Sequence, residues 1–400
     1  MRRLLPLFLI LLGATGCDPC RGLEPRFEVP PLRNIPADAA PQLEIQVSLP
    51  ALTVRLDQAF AEGGSVRAGE PDGVTWTGLA LERSDGLTAV VSVQVTRDGA
   101  QHPGTVRIPV HPEARAKGPG VEVKLVPDGP AEARVPGLDD AGERTLAALI
   151  AARQQEWLAA PALDVLGWFR QGGFLPLQVV GVSAGKGVLI LQLATGIDAA
   201  PLANEASARR PGLADDVTIS ASMSLMQGLA AGGWLPLPPR GPGGATEALP
   251  TWPAPPPGWQ VRAGLPVSGE RDLRVPFIAR RLDRCSFVAV DAEVKPGVAL
   301  GFLGWHPPQR LTVTEGRGRE EVPEHLVDGL TRAALASLAA PMSPPPVLGP
   351  GSLTGVRGPL RLVRTAGDAL MLDGLLVPAT SRPKRGPPAR LQDPSGPPGR

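Results

Sequence analysis

Short stretches of this chain occur twice, in the same order and roughly 170 to 180 residues apart. Three pairs carry the repeat: residues 56–64 (LDQAFAEGG) with 225–233 (LMQGLAAGG), 158–161 with 338–341 (both LAAP), and 176–191 with 359–372, which share a Pro-Leu start, an Ala-Gly pair and an apolar end. Similar apolar patterns bury similar faces, so two such halves should fold into two similar modules. The repeat therefore predicts a duplicated architecture.

The first 16 residues have the layout of an export signal. Two arginines precede an apolar run over residues 4–12, and small residues lead up to Cys17. The run is about half as long as the ~20 residues that cross a bilayer as a helix. The segment is therefore predicted to be a signal peptide and not a permanent membrane span.

Residues 14–17 (ATGC) resemble a bacterial lipobox, with alanine where leucine is usual. The resemblance implies that Cys17 becomes the mature N-terminus and carries a diacylglycerol, so that fatty acids such as palmitate hold the chain on a membrane. An ordinary secretory signal cut near residue 16, with a free Cys17, is the open alternative. The lipobox implies a lipoprotein of the bacterial cell envelope that faces the periplasm.

The other two cysteines, Cys20 and Cys285, fit an exported chain. In an oxidising compartment they can pair, and the bond would close a loop of more than 260 residues. Such a closure contributes about 4 to 5 kcal/mol in chain-entropy models, less any geometric strain. Two buried free thiols are the alternative, and the sequence leaves both open.

The net charge of +1 argues against a nucleic-acid partner, because phosphate contacts need a concentrated basic face. Glycine and proline, 48 of each, lower the expectation of long helices and raise that of strands, turns and loops. The repeat and the composition together predict the following division: 1–16 lipoprotein signal peptide, 17–42 proline-rich tether, 43–199 first repeat, 200–215 linker, 216–377 second repeat, and 378–400 disordered basic tail.

Each repeat is predicted to begin with an alternating strand followed by a short helix. Residues 43–49 (LEIQVSL) alternate apolar and polar side chains, as a half-buried strand does. Further strands are expected within residues 87–126 of the first repeat and 274–305 of the second, with 298–305 as a single strand. Two apolar strands joined by a glycine-rich turn should close each repeat.

A longer amphipathic helix is predicted in each repeat. The first begins near Asp140, whose side chain should cap free amides while Glu143, three residues on, completes a capping box. The second begins near Pro323 and ends at Pro341. Ahead of it, the proline- and tryptophan-rich residues 234–259 are expected to form a stiff surface loop.

Residues 181–185 (GVSAG) match the GxSxG pattern of a serine hydrolase, with Ser183 as the candidate nucleophile. That motif needs a strand before the serine and a helix after it, so that a strained turn presents the hydroxyl. Here Lys186 and Gly187 lead into a second strand-like run, which predicts a hairpin instead. The four histidines show no metal-ligand spacing. We therefore expect no catalytic residue, metal or cofactor, and a hydrolase is only the third function considered.

In each half the sequence predicts a strand, a short helix, several strands, a long helix and a closing hairpin. This order resembles the TULIP superfamily of lipid carriers, which includes proteins like bactericidal/permeability-increasing protein. The openings LEIQVSLPALTVRLDQAF and VTISASMSLMQGL are similar to those of a bacterial branch of that superfamily, and the likeness covers most of residues 43–377. It implies an α+β fold of two duplicated modules, each a curved antiparallel sheet wrapped along a long amphipathic helix.

In that superfamily the space between sheet and helix holds acyl chains, which implies an internal tunnel lined by apolar side chains of the long helices. The candidates here are Leu146, Ile150, Trp157, Leu326, Leu330 and Leu338. A buried methylene gains roughly 0.8 kcal/mol, so such a tunnel needs no hydrogen bond to hold an acyl chain. The same apolar stripes would look identical in a filled core.

Three functions follow, in order of preference. The first is a membrane-anchored envelope lipoprotein that binds lipid or another apolar ligand without catalysis. The second is an envelope scaffold with filled cores that binds a protein partner, with Trp252 and Trp259 of the proline-rich segment as its candidate contacts. The third is a hydrolase that uses Ser183.

Overall fold

The computed structural model describes fifteen stretches of the chain. They are residues 31–62, 73–83, 86–97, 99–117, 120–158, 163–185, 187–203, 216–236, 251–269, 272–281, 286–299, 301–317, 322–342, 349–350 and 360–374. The predicted signal peptide, the anchor position Cys17, the pair Cys20 and Cys285, and the basic tail lie outside the described residues. The predictions made for them stay predictions.

The first half of the chain contributes eleven strands and two helices to the described residues. The strands are β1 (Leu43–Ser48), β2 (Gly73–Arg83), β3 (Leu87–Arg97), β4 (Ala100–Lys117), β5 (Gly120–Pro127), β6 (Glu132–Arg134), β7 (Leu163–Leu166), β8 (Trp168–Arg170), β9 (Gly173–Phe174), β10 (Leu177–Gly185) and β11 (Val188–Thr195). Helix α1 (Leu49–Glu62) follows β1, and helix α2 (Asp140–Leu158) follows β6.

The second half begins, like the first, with a strand that runs directly into a helix. Its strands are β12 (Val217–Ser222), β13 (Leu235–Pro236), β14 (Trp259–Ala263), β15 (Val267–Ser268), β16 (Leu273–Arg281), β17 (Phe287–Val294), β18 (Pro296–Ala299), β19 (Phe302–Trp305), β20 (Arg310–Arg317), β21 (Gly349–Pro350), β22 (Leu360–Ala366) and β23 (Ala369–Gly374). Helix α3 (Met223–Ala231) follows β12. Helix α4 (Glu324–Ala339) follows β20 and ends in a 3-10 turn, Ala340–Met342.

The fold is α+β, dominated by sheets, and every strand pairing within the described residues is antiparallel. The predicted fold class is confirmed at this level. The helices that the sequence predicted after residue 49, at Asp140 and after Pro323 are all present.

A six-stranded sheet in the order β10-β11-β1-β12-β23-β22 joins the two halves. The opening strands β1 and β12 pair with each other, and Ile45 lies directly opposite Ile219. Because alternate residues of a strand point to the same face, Leu43, Ile45 and Val47 enter one side together, and all three are buried. Three strands from each half therefore share this central sheet.

The hairpins at the two ends of the central sheet have the same register and the same irregularity. In β10–β11 a bulge falls between Val179 and Gly181, opposite Leu193 and Gln192. In β22–β23 a bulge falls between Leu360 and Leu362, opposite Gly374 and Asp373. Counted back from the two-residue turn of its hairpin, each bulge occupies the same position.

The other sheets belong mainly to one half each. The first-half sheet has the order β2-β3-β4-β5-β7-β21, with β6 added to β4, and only β21 comes from the second half. The second-half sheet has the order β14-β16-β17-β20, with β15 added to β16. The first-half sheet, α2 and the apolar face of the central sheet share one large core. A second core lies between α4 and the strands β14, β16 and β17. Each fully buried valine or leucine contributes about 1.5 to 3 kcal/mol to these cores.

Two tryptophan side chains form contacts between the two halves near β8. The indole Nε1 of Trp168, which is buried, donates a hydrogen bond of 2.8 Å to the carbonyl oxygen of Pro341 in the second half. The guanidinium of Arg170 lies 4.9 Å from the ring centroid of Trp234, as a cation–π pair does. β8 also pairs with β13. The two halves are therefore packed against each other beyond the central sheet.

Three local expectations were wrong. The expected single strand over residues 298–305 is a hairpin of β18 and β19, with Gly301 at φ +81° in its turn. Asp139, and not Asp140, caps α2, because its Oδ1 accepts from the amide of Gly142 at 2.8 Å. The Glu143 carboxylate instead accepts from the amide of Val135, also at 2.8 Å, and so fixes the entry to the helix.

After the hairpin and the helix cap, the third wrong expectation concerns β1. This strand was predicted to be half-buried, but both of its faces are buried. Glu44 and Gln46 are each only 1% exposed. β1 lies between β11 and β12 in the middle of the sheet, so its polar side chains depend on neighbouring strands for partners. Among the described residues, no helix is long and apolar enough to cross a membrane.

Candidate functional site

The six side chains predicted to line tunnels lie in the two cores where the structure describes them. Leu146 and Ile150 of α2 are buried in the first core. Leu330 and Leu338 of α4 are buried in the second, with Leu326 packed against it. The side chain of Trp157 lies outside the described residues. None of the three cavities described below is lined by the other five, and their tunnel role stays a prediction.

The largest of these cavities is a groove of about 620 Å³ beside α4. We call it the α4 groove. It has three walls: one from α4, one from residues 303–308 with Leu311, and one from Trp252 and Pro253. Its volume falls within the range of roughly 300 to 1,000 Å³ that is typical of small-molecule sites.

The spacing of apolar residues along α4 explains why a groove forms here. Leu326, Leu330 and Leu338 point into the second core, as one stripe of a helix does. The groove is lined by the adjoining stripe, whose members recur at spacings of three and four: Asp328, Arg332, Leu335, Ala336 and Ala339. Because alanine ends at Cβ, Ala336 and Ala339 leave open space where larger side chains would fill it.

Trp305, at the end of β19, forms a fixed aromatic wall of the α4 groove. Its indole Nε1 donates a hydrogen bond of 2.6 Å to the carbonyl oxygen of Leu335 on α4. Next to it, His306 lies so close to Gly297 that a Cβ at residue 297 would come within 2.7 Å of the imidazole Nε2. The groove wall is therefore set by β18, β19 and α4 together and does not depend on a ligand.

Trp252 and Pro253 bring the proline-rich segment to the opposite wall of the groove. The segment then crosses α4 at a glycine, because a Cβ at Gly329 would lie 3.4 Å from Cγ of Pro256. Trp252 is half-buried in this position. Residues 237–250 of the predicted surface loop lie outside the described residues.

The polar groups of the α4 groove lie at its rim. Asp328, Arg332 and His306 are all exposed, whereas Leu303, Leu335 and Ala339 in the interior are buried. A cavity with an apolar interior and a few polar groups at its mouth suits a molecule with an apolar body and a polar end. Of the residues in this groove, the sequence had singled out only Trp252, and as a protein contact.

Two smaller cavities lie elsewhere. One, of about 410 Å³, is lined by Pro255 and Trp259 together with residues of α3, β14 and β16. The other, of about 380 Å³, lies between residues 33–35, 114–116 and 176–179. Residues 33–35 of this cavity belong to the predicted tether, and they contact the rest of the protein. The amide of Arg33 donates a hydrogen bond of 2.7 Å to the carbonyl oxygen of Gly196.

Ser183 does not stand at a nucleophile elbow. It is a residue of β10, paired with Ile190 of β11, and the chain turns through Gly187 at φ +88° into that strand. The predicted hairpin is therefore confirmed, and the strand–turn–helix context of the GxSxG motif is not found at this serine. Within the described part of the chain, no group of three or more His, Cys, Asp or Glu side chains is placed to hold a metal ion.

Comparison with solved structures gives several remote likenesses. No family model and no curated protein matches the chain. The structure of P47 from Clostridium botulinum A2 aligns with 86% of this chain and 98% of its own, at 8% identity and a TM-score of 0.37. A crystal structure of lipopolysaccharide binding protein aligns with 84% of this chain and 99% of its own, at 11% identity and a TM-score of 0.35. At these TM-scores neither likeness establishes a shared fold.

Proposed function

We propose that this protein is an envelope lipoprotein, anchored through Cys17, that binds lipid or another apolar small molecule without catalysis. The observation that carries the proposal is the α4 groove, with its apolar interior between Trp252, Trp305 and α4. This site differs from the predicted tunnels, because it uses the stripe of α4 adjoining Leu330 and Leu338. The apolar end of a ligand lies inside, and a polar end faces Asp328, Arg332 and His306.

The energetics of such binding come from apolar contact. A buried methylene gains roughly 0.8 kcal/mol, and an aromatic side chain offers a large rigid surface at little cost in conformational entropy. Trp305 is already held by its hydrogen bond to Leu335, so ligand binding does not have to order it. Asp328 and Arg332 at the rim carry opposite charges, so the rim suits the polar end of a ligand and Arg332 supplies the donors for an acidic one.

The proposal includes two duplicated modules of TULIP type. The matched registers and bulges of the β10–β11 and β22–β23 hairpins support the duplication. So does the direct pairing of Ile45 with Ile219, which places the opening strands of both halves side by side. Antiparallel sheets with one long helix in each half, α2 and α4, agree with the TULIP resemblance.

One observation favours the scaffold as a second candidate function. Leu146, Ile150, Leu330 and Leu338 are all buried in apolar cores, as they would be in modules without a tunnel. A scaffold would use Trp252 as a protein contact, whereas a carrier uses it as a groove wall. Loss of Trp252 should therefore weaken binding of a protein partner if the protein is a scaffold, and binding of the apolar ligand if it is a carrier.

The test is the binding of a fluorescent fatty acid to the full chain carrying Cys17→Ser, which prevents acylation. Trp252→Ala removes one wall, and Ala336→Leu fills the groove; each should weaken binding about ten-fold, equivalent to about 1.4 kcal/mol. Trp259→Ala, in the same segment but outside the groove, is the matched control and should leave binding unchanged. No binding by the parent chain, together with no lipid in native mass spectra, would overturn the carrier function.

A further inference from the structure

The cavity of about 410 Å³ beside Trp259 contains two arginines, Arg262 and Arg280. We call it the arginine pocket. Its other walls come from the last turn of α3, from Ser337 of α4 and from the proline-rich segment. It shares no lining residue with the α4 groove.

Strand pairing places both guanidinium groups on one face. Gln260 of β14 lies directly opposite Arg280 of β16, and Arg262 follows two residues along the same strand. Residues two apart on a strand point to the same side, and diagonal neighbours across two strands are within reach of long side chains. The Nε of Arg280 donates a 2.9 Å hydrogen bond to Oε1 of Gln260, which orients its guanidinium.

The guanidinium of Arg262 is partly buried and lies close enough to Arg280 for the two charges to influence each other. Burial, followed by the positive charge of Arg280, lowers the pKa of Arg262 from its ordinary value. Trp259, Ala231 and Ala263 present apolar surface to the same space. Because a low local dielectric strengthens Coulomb interactions, a negative group placed here is attracted more strongly than at an open surface.

The C-terminal turn of α3 also lines the pocket, and free carbonyl groups there would repel an anion. They are capped instead. The amides of Gly232, Gly233 and Trp234 donate to the carbonyl oxygens of Gly228, Ala230 and Leu229 at 2.9 to 3.1 Å. The end of the helix therefore presents less negative charge than an uncapped one.

We propose that the arginine pocket binds a phosphate group, held between the guanidinium groups of Arg262 and Arg280. A guanidinium presents a planar fork of N–H donors that matches phosphate oxygens, and two of them on one face can clamp such a group. The phosphate can belong to a lipid headgroup or to a free solute. This second site is independent of the α4 groove and of what the groove binds.

The test is calorimetric titration of the full chain carrying Cys17→Ser with inorganic phosphate, and with vesicles of phosphatidylcholine with or without phosphatidic acid. Arg262→Gln and Arg280→Gln should each weaken binding at least about ten-fold, as expected for loss of a charge-assisted hydrogen bond. Arg280→Lys, which keeps the charge but not the fork of donors, should weaken binding less than Arg280→Gln does. Arg310→Gln, an exposed arginine of β20, is the matched control and should change nothing.

Binding of both probes supports the site, and binding of one alone supports it while identifying the source of the phosphate. Trp252→Ala, which alters the α4 groove, should leave phosphate binding unchanged, so failure of one proposal is distinguishable from failure of the other. Thermal unfolding of each variant establishes that the fold is intact. No binding of either probe at millimolar concentration, or equal weakening by Arg310→Gln, would overturn the proposal.

Discussion

The two halves of the central sheet have the same backbone pattern but different polar chemistry. In the first half Glu44 of β1 lies opposite Gln192 of β11. In the second half the corresponding pair is Thr218 of β12 and Asp373 of β23. The acidic residue is on the inner strand of one pair and on the outer strand of the other, although the registers match.

The partners of the two carboxylates differ in charge. Glu44 accepts hydrogen bonds from two neutral amides, from Gln46 at 2.7 Å and from Gln192 at 2.8 Å. Asp373 accepts from the hydroxyl of Thr218 at 2.7 Å, and its other oxygen lies 2.6 Å from a guanidinium nitrogen of Arg364.

This difference shows which part of the sheet sets the fold. Leu43, Ile45 and Val47 of β1 and their neighbours fill the common core, so a shift by one residue would turn Glu44 and Gln46 into that core instead. On the opposite face, different pairs of side chains supply hydrogen bonds to the buried carboxylates, as Glu44 with Gln192 and Thr218 with Asp373 do. The register is therefore fixed by the apolar face, while the polar face tolerates different pairs.

The largest effect should follow from breaking the charged pair. Asp373 is 1% exposed, and Arg364→Met would leave its carboxylate without that guanidinium. Removing one partner of a buried ion pair costs about 3 kcal/mol. The cost should be somewhat smaller at this pair, because Arg364 is partly exposed. Urea denaturation should show a loss of about 2 to 3 kcal/mol in the free energy of unfolding.

A double variant separates loss of the charge from loss of packing. Arg364→Met combined with Asp373→Asn removes both charges while keeping an acceptor for the hydroxyl of Thr218. It should recover at least half of the stability lost by Arg364→Met alone. A single variant that loses less than about 0.5 kcal/mol would mean that the pair contributes as little as an exposed one.

An intermediate effect should distinguish the helices that follow β1 and β12. Gly228 and Val54 are each the sixth residue of their helix, α3 and α1. A Cβ at Gly228 would lie 2.5 Å from Cγ2 of Ile197, whereas Val54 is 55% exposed. Gly228→Ala should therefore destabilise by about 1 to 2 kcal/mol through overpacking, despite the better helix propensity of alanine.

The matched change at the other helix has the opposite sign. Val54→Ala should stabilise by a few tenths of a kcal/mol, because the side chain is exposed and alanine is the better helix former. Adding Ile197→Ala to Gly228→Ala removes the close contact, so destabilisation by Gly228→Ala should be smaller in that background. Urea midpoints of the four variants provide the measurement. Equal effects at Gly228 and Val54 would contradict the difference in packing.

The sequence predicted the helices and most strands because their apolar periodicity is local. The alignment of the two halves from short identical runs was less accurate. Residues 56–64 were matched to 225–233, yet Leu56 is the eighth residue of α1 and Leu225 is the third of α3. The matched registers of β1 with β11 and of β12 with β23 place Ile45 and Ile219 at equivalent positions of the central sheet, and these positions differ from those suggested by the short run of identical letters.

The α4 groove could not be predicted, because its walls come from three separated parts of the chain. Trp252, Trp305 and Leu335 meet only after β18, β19 and α4 have packed. Periodicity identified Leu326, Leu330 and Leu338 as an apolar stripe, but it does not show which neighbouring stripe remains open. The alanines Ala336 and Ala339 were the one local signal, since small residues beside an apolar stripe leave room against a helix.

The smallest effect should follow from neutralising the first-half carboxylate. Glu44→Gln keeps the size of the side chain, and the amides of Gln46 and Gln192 can rotate to offer an oxygen instead of an N–H group. A buried carboxylate also costs more desolvation than an amide, so the change should alter stability by less than about 1 kcal/mol, in the stabilising direction. Urea denaturation beside Asp373→Asn, which removes the acceptor charge facing Arg364, measures the contrast. A loss of more than about 1 kcal/mol for Glu44→Gln would contradict this contrast, because it would mean that the charge of Glu44 itself stabilises the first half.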